Sequence, residues 1–427
     1  MISQPATEKL IQILGQKHLL TDRQDLRPFS HDATKQDFIP DAVAFPGDAD
    51  QISKILRLAN EELFPVIPRG AGSGMSGGAL AARGGLVLST ERMNRILLID
   101  EENLLAKVEP GVVTACLQDE VEKRGLFYPP DPASLDVSTI GGNVAECAGG
   151  PRAVKYGVTR DYVTGLKVVL PTGEIITTGV ETAKGVVGYD LTRLLVGSEG
   201  TLAVMVEIIL RLVPKPEMKK TMLIRFSDIA QAARCVSTII REKVIPTTIE
   251  FMDSLSVECV RDQVPFELPQ GEPTLLLIEL DGDSDQIERD TRRIEALCKQ
   301  MGSIEFRLAR NEEEAQELWK ARRNLSPSLQ KLGPHKINQD VVVPRSRLAD
   351  FVVSLSRIGR RYALPIASFG HAGDGNIHVN ILYNSDDKDE TTRAHQALQG
   401  ILRLTLDLRG TLSGEHGVGR ASCRERV

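Results

Sequence analysis

PVIPRGAGSGMSGGAL, residues 65–80, carries G-x-G-x-x-G at Gly72, Gly74 and Gly77, with an acid, Glu91, 19 residues beyond Gly72. By spacing alone this is a dinucleotide fingerprint. A Rossmann unit, however, starts a helix within its glycines, so that the helix N-terminus holds the pyrophosphate. Here the next glycine pair, Gly84-Gly85, comes six positions after Gly78 and leaves no room for a packed helix. No Gly-Lys-Ser/Thr follows, which also excludes a nucleoside-triphosphate loop. Two readings remain. One is a surface loop. The other is a nest of successive backbone N–H groups able to hold an anion, with Arg69 adding positive charge.

The rest of the chain narrows the choice. At about 150 residues per domain, 427 residues imply two or three domains. Hydrophobic content of 41% and charged content of 26% are those of a globular protein. Aromatics at 4% and a net charge of −6 argue against a nucleic-acid binder. No apolar run reaches the ~18 residues of a membrane span. The opening MISQPATEKLIQILGQKHLLT has polar residues throughout and no continuous apolar segment, so no secretory signal is expected and the cytoplasm is the expected compartment. Cysteines 116, 147, 235, 259, 298 and 423 form no C-x-x-C pair, and free thiols are expected.

Glycine is unevenly spread, with 21 of 36 between Gly70 and Gly200. In that half, short β-like runs such as GLVLST, LLAKVEPG, LKVVLPTGEIITTG and TLAVMVEIILRLV are bounded by Gly and Pro, with a helix at Val113–Arg124. The pattern changes near LVPKPEMKK, 212–220. Beyond it, TMLIRF, a helix over 228–243, PTTIEF, TLLLIEL, a helix over 284–301 and SIEFRLA make two β-α-β halves, the signature of a ferredoxin-like unit. A helical stretch (311–331), the strand INQDVVVP and helices over 345–361 and 388–409 complete the second half.

FGHAGDGNIHVNI, residues 369–381, sets two histidines seven positions apart. On one unbroken strand His371 and His378 would face opposite sides. Gly373-Asp374-Gly375 supplies residues that reverse a chain, and a reversal brings both imidazoles into one cleft. A lone histidine is more often structural or solvated, and His18, His31, His335 and His395 are read that way.

These segments do not stand alone. The glycine loop is followed in order by PPDPAS…STIGGNVAECAGGPRAVKYGVTRDYV (129–163) and GYDLTRLLVGSEGTLAVMVEIILRLVP (188–214). Together they resemble the FAD-binding domain of the vanillyl-alcohol-oxidase superfamily. FGHAGDGNIH and SGEHGVGR extend the resemblance to the FAD-linked 2-hydroxyacid oxidases, the glycolate oxidase FAD-linked subunit and D-lactate dehydrogenases, over roughly residues 20–420. The implied fold is α+β. A helical segment (1–37) would precede a two-subdomain PCMH-type FAD-binding domain (38–216) and a ferredoxin-like substrate, or cap, domain (217–420). Relatives continue beyond GEHGVGR with a further helix, so 421–427, ASCRERV, reads as a scar or truncated end.

The resemblance also implies a site. Arg69, Gly70, Ala71, Gly72, Ser73, Gly74, Ser76 and Gly77 would wrap the FAD pyrophosphate. Pro132, Ser134, Thr139, Gly142, Asn143, Gly149, Tyr156, Gly157, Glu199 and Gly200 would line the rest of the cofactor. No histidine lies between residues 32 and 334, so that domain offers none for covalent flavin attachment and noncovalent FAD is expected. His371, His378 and Glu415 resemble the ligands of a divalent metal, zinc or manganese, and such a set leaves open positions. His416 would be the general base and Arg322 the bidentate partner of a substrate carboxylate. Asn376 and Asn380 would either orient ligands or face solvent. Some relatives place a lysine where this chain has Asn338, two residues before Asp340, with Lys336 four residues ahead instead, which leaves the substrate's side chain open. The implied activity is oxidation of a small 2-hydroxy acid, D-lactate or glycolate. Electrons would pass to an iron–sulfur subunit, an electron-transfer flavoprotein or a quinone-linked partner, with the chain in a homodimer or hetero-oligomer, cytoplasmic or peripheral to a membrane through that partner. The competing readings are a flavin-carrying electron-transfer or assembly subunit without turnover, and a nonredox metalloenzyme.

Overall fold

The computed structural model describes residues 2–264 and 273–417. The end segment 421–427 and Val418–Arg420 lie outside the described residues. The chain divides into two compact units. One comprises residues 1–149, 157–215 and those from Glu415 onward; the other comprises 150–156 and 216–414. The N-terminal helical segment is thus part of the first unit. PRAVKY, expected in the flavin domain, belongs to the second, where Tyr156 donates to both carboxylate oxygens of Asp281 at 3.0 and 3.1 Å and Lys155 pairs with the same group.

In the first unit, helix Gln4–Leu14 starts at Ser3, whose hydroxyl accepts from the Ala6 amide. Its Ala6, Leu10 and Leu14, four apart and on one face, are buried in the same core as Ile52, Ile55 and Leu56 of helix Ala49–Glu62. A four-stranded sheet runs in the order Leu19–Leu20, Ala42–Ala44, Leu86–Ser89, Val66–Arg69, the last three parallel. Helix Ala49–Glu62 makes the crossover from Ala42–Ala44 to Val66–Arg69. Val66–Arg69 and Leu86–Ser89, parallel neighbours, are joined by the glycine loop with no helix between them. The exclusion of a Rossmann unit therefore holds at the residues that suggested one. A second, antiparallel sheet has the order Ile96–Asp100, Leu105–Val108, Val204–Arg211, Val163–Val169, Ile175–Gly179. The run LKVVLPTGEIITTG is two of these strands, reversed where Gly173 adopts φ +83°.

The second unit is built on one seven-stranded antiparallel sheet. Its first four strands are Glu305–Leu308, Met218–Phe226, Thr274–Gly282 and Thr248–Met252 in spatial order. With helices Ile229–Arg241 and Ser284–Gln300 as crossovers, this is the β-α-β, β-α-β arrangement of a ferredoxin-like unit. Asp228 caps the first helix through the amides of Ala230 and Gln231, and Asp283 caps the second. Ala232, Val236 and Ile239 pack with Ile287, Ile294 and the strand residues Ile224, Phe226, Phe251 and Ile278. Each fully buried aliphatic contributes roughly 1.5–3 kcal/mol. The sheet continues through Ile366–His371, Asn376–Tyr383 and His335–Val342. These strands carry the histidine motif.

A candidate cofactor cleft and a histidine hairpin

In the first unit a cleft of about 1360 Å³ of empty space, its open mouth included, separates the glycine loop from Pro132–Ser134 and the helix Ile140–Glu146. Among the described residues, no protein acceptor takes the N–H of Ala71, Gly72, Ser73, Gly74, Met75 or Ser76. These orphaned donors edge the cleft, as an anion nest requires. The loop and the helix approach so closely that a Cβ at Gly70 would lie 2.4 Å from Thr139 Oγ1. Thr139 in turn caps its helix by accepting from Gly142 N at 3.3 Å. Asn143 donates to Thr114 Oγ1 at 2.6 Å, and Glu199 N to Ala145 O at 2.9 Å, so the walls are fixed to one another. The residues fit a long ligand with an anionic middle.

Most of the predicted cofactor residues line this cleft: Arg69 to Gly74, Ser76, Pro132, Ser134, Thr139, Gly142, Asn143, Gly149, Glu199 and Gly200. Three do not. Gly77 forms the turn behind the loop at φ +77°, Gly157 turns the chain at φ +79°, and Tyr156 has its hydroxyl committed to Asp281. Arg69 is a lining residue whose guanidinium braces the loop: Nη2 donates to His31 O at 2.9 Å and Nη1 to Ala79 O at 3.4 Å. Glu415 and His416, from the same unit's last described segment, also border the cleft.

In the second unit the two histidines sit on a hairpin. Strands Ile366–His371 and Asn376–Tyr383 pair antiparallel around the Ala372–Gly375 turn, with Phe369 opposite His378. The reversal brings the imidazoles together, ring centroids 5.2 Å apart and planes at 87°. Glu250 Oε1 lies 2.6 Å from His371 Nδ1. The same carboxylate takes Arg322 through Nε at 2.6 Å and Nη2 at 2.5 Å, both on Oε2. Burial would raise Glu250's pKa, but the Arg322 charge and His371 outweigh it and hold the carboxyl down at about 2. The bidentate grip expected of Arg322 is therefore directed at Glu250, and its guanidinium also stacks 4.8 Å from the Phe369 ring.

A second buried acid, Asp340, stands opposite His378 in the next strand. Its Oδ1 accepts from Asn376 Nδ2 at 2.5 Å and its Oδ2 from Gly414 N at 2.8 Å. Gly414 is thereby tied to strand His335–Val342. Asn376 and Asn380 are buried, not solvent-facing; Asn380 Oδ1 accepts from Asn338 at 2.7 Å. Sequence reasoning missed Glu250, Asp340 and Glu146, a cleft residue discussed below. The available signal for the first two was an acid inside an apolar strand, TTIEFM and INQDVVV, which needs a buried partner.

Residues 40–179 match the sequence profile of the FAD binding domain, and residues 215–424 that of FAD linked oxidases, C-terminal domain. The chain is 47% identical to glycolate oxidase subunit GlcD of Bacillus subtilis over 98% of its own length and 89% of that protein's. It is 33% identical to a D-lactate dehydrogenase of Anaerostipes hadrus, covering 91% and 86%. Among solved structures, p-cresol methylhydroxylase superposes with a TM-score of 0.78 at 19% identity, over 98% of this chain and 91% of that one, a likeness of fold. Among the described residues no helix is long and apolar enough to cross a membrane.

Proposed function

The chain belongs to the FAD-linked oxidases, and from that premise we propose that it oxidises a small 2-hydroxy acid, D-lactate or glycolate, to the 2-oxo acid. FAD is the cofactor, held noncovalently, and when bound it supplies the hydride acceptor that side chains cannot. The unpaired amides of Ala71–Ser76 would hold its pyrophosphate, and the Pro132–Asn143 and Glu199–Gly200 walls would hold the remainder.

His371, His378 and Glu415 would hold a divalent metal, zinc or manganese, which would supply Lewis-acid chemistry there. The observation that carries this reading is the Glu250–His371 pair beside His378. A carboxylate on one ring nitrogen fixes the tautomer and directs the other nitrogen to a metal, and a second imidazole lies 5.2 Å away. His416 takes the hydroxyl proton, and its place at the border of the cofactor cleft suits that role. Arg322 supplies positive charge for the substrate carboxylate while neutralising Glu250. Electrons leave to a partner, in keeping with the "subunit" in the name of the Bacillus subtilis relative.

The test is anaerobic. Purified chain loaded with FAD loses its flavin absorbance on addition of D-lactate or glycolate, and a chelator abolishes the loss. Flavin that stays oxidised with every 2-hydroxy acid offered sinks the activity; bleaching that survives complete metal removal sinks the metal's part in it.

A further inference from the structure

Helix Ile140–Glu146 delivers one acid into the cofactor cleft at its last residue. Glu146 Oε1 accepts from Ser76 Oγ at 2.8 Å, tying the carboxyl to the glycine loop. A Cβ placed at Gly74 or at Gly78 would lie 3.6 Å from that oxygen, so the loop folds directly over it. Oε2 is buried and has no hydrogen-bond partner among the described residues. A buried carboxylate with an unsatisfied oxygen is costly, and the cost falls if the group is neutral.

Every acidic neighbour pushes the same way. Burial opposes ionisation most strongly, the Ser76 hydrogen bond favours the charged form, and Glu199 and Asp32 oppose it, which together bring the group to about 7. The carbonyl end of the helix adds partial negative charge. The other charged groups at the cleft are Arg69, whose charge is spent on the His31 and Ala79 carbonyls, and Glu415 and His416 on the terminal segment. A pyrophosphate held by the Ala71–Ser76 amides brings further negative charge to the loop that Glu146 touches. Like charges at that range in a partly desolvated cleft repel.

We infer that Glu146 is a cofactor-binding residue that acts as a neutral carboxylic acid, so that one proton enters the protein together with FAD. The balance is simple: carboxylate, one solvent proton and FAD give the protonated acid beside bound FAD, with no change of oxidation state. Ser76 supplies the hydrogen bond to Oε1, and the acquired proton gives Oε2 a donor to place. The inference rests on the FAD assignment and is independent of the metal and of the hydroxy acid.

The sign of the linkage fixes the experiment. Above neutrality the free protein must take up a proton to bind, so affinity falls as pH rises, by up to about tenfold per pH unit for one linked proton. Full-length chain stripped of flavin is titrated with FAD between pH 6 and 9, following flavin fluorescence. The wild type weakens progressively above pH 7, whereas Glu146→Gln, neutral at every pH, holds nearly constant affinity. His416 would also weaken binding on losing its charge, so an unchanged slope in Glu146→Gln assigns the proton elsewhere and overturns the inference. Calorimetry at pH 8 in two buffers of different ionisation enthalpy counts the proton in wild type and in Glu146→Gln. A count approaching one in the wild type that is lost in the variant supports the inference, and a wild-type count of zero, or an equal count in both proteins, overturns it.

Discussion

Glu250 decides whether His371 is a ligand or an ordinary buried histidine. Its side chain is fully buried, and it is shared between an imidazole and a guanidinium. Replacing it by glutamine removes the charge that Arg322 needs and leaves one acceptor oxygen where the carboxylate gave one to His371 and the other to Arg322, so the partner that orients His371 is weakened. Loss of an orienting partner behind a ligand typically weakens metal binding 10–100-fold. Glu250→Gln is therefore expected to lose zinc or manganese in chelator competition by about that factor while retaining its FAD. Undiminished metal affinity in the variant would remove His371 from the ligand set. The same carboxylate makes a statement about acid stability. An ordinary glutamate titrates near 4.5 and this one is held at about 2. The folded state therefore binds the proton more weakly than the unfolded chain, and the stabilisation is complete above pH 4.5 and disappears as pH falls from there towards 2. In denaturant melts across that window, wild type should lose stability more steeply than Glu250→Gln.

At the scale of elements, the hairpin Ile366–His371/Asn376–Tyr383 was legible because its signals are local: alternating apolar residues, a Gly-Asp-Gly reversal and a histidine on each arm. The ferredoxin-like halves were legible for the same reason, since strand and helix periods are read within windows of about 11–18 residues. What holds the elements in place was not. Glu250 meets His371 across 121 positions and Asp281 meets Tyr156 across 125, and no window of sequence contains both partners. Strand His335–Val342 shows the consequence. Its Asp340 looks like one polar residue in an apolar run, yet it accepts from Asn376 in the hairpin, from Gly414 N and, at 3.4 Å, from Ser413 Oγ. Asp340→Ala leaves those donors without their acceptor. Unsatisfied buried groups cost roughly 1–3 kcal/mol each, so the variant should melt earlier. In hydrogen exchange its Gly414 amide should lose protection while those of strand Thr274–Gly282, which Asp340 does not touch, keep theirs. Equal protection at Gly414 in both proteins would mean that the segment is held by something other than this carboxylate.

Over the whole molecule, the chain passes between its two units after residues 149, 156, 215 and 414. Each unit has its own core: one gathers Leu10, Ile55 and Leu88, the other Ile224, Phe251 and Ile377. The cleft at the glycine loop is lined by the first unit alone, and the histidine pair, Glu250 and Asp340 lie in the second. Ligands that bind only the folded form stabilise by RT ln(1 + [L]/Kd), about 2.7 kcal/mol at a hundredfold excess over Kd, and that stabilisation is felt first by the amides around the occupied site. The two ligands should thus leave separate footprints. Hydrogen exchange with FAD added is expected to slow the amides of 70–76, 134–149 and 199–205. Zinc or manganese added to the flavin-free chain should slow 248–252, 366–383 and 411–414, because the proposed ion would rest on His371 and His378, with Glu250 bonded to His371 and Asp340 opposite His378 in the next strand. The two measurements fail independently. An FAD footprint on the hairpin alone would dislodge the cofactor from the glycine loop. A metal footprint confined to the acids of the cleft, Glu146, Glu199 and Asp32, would place the ion there and leave the paired imidazoles as a packing feature of the sheet.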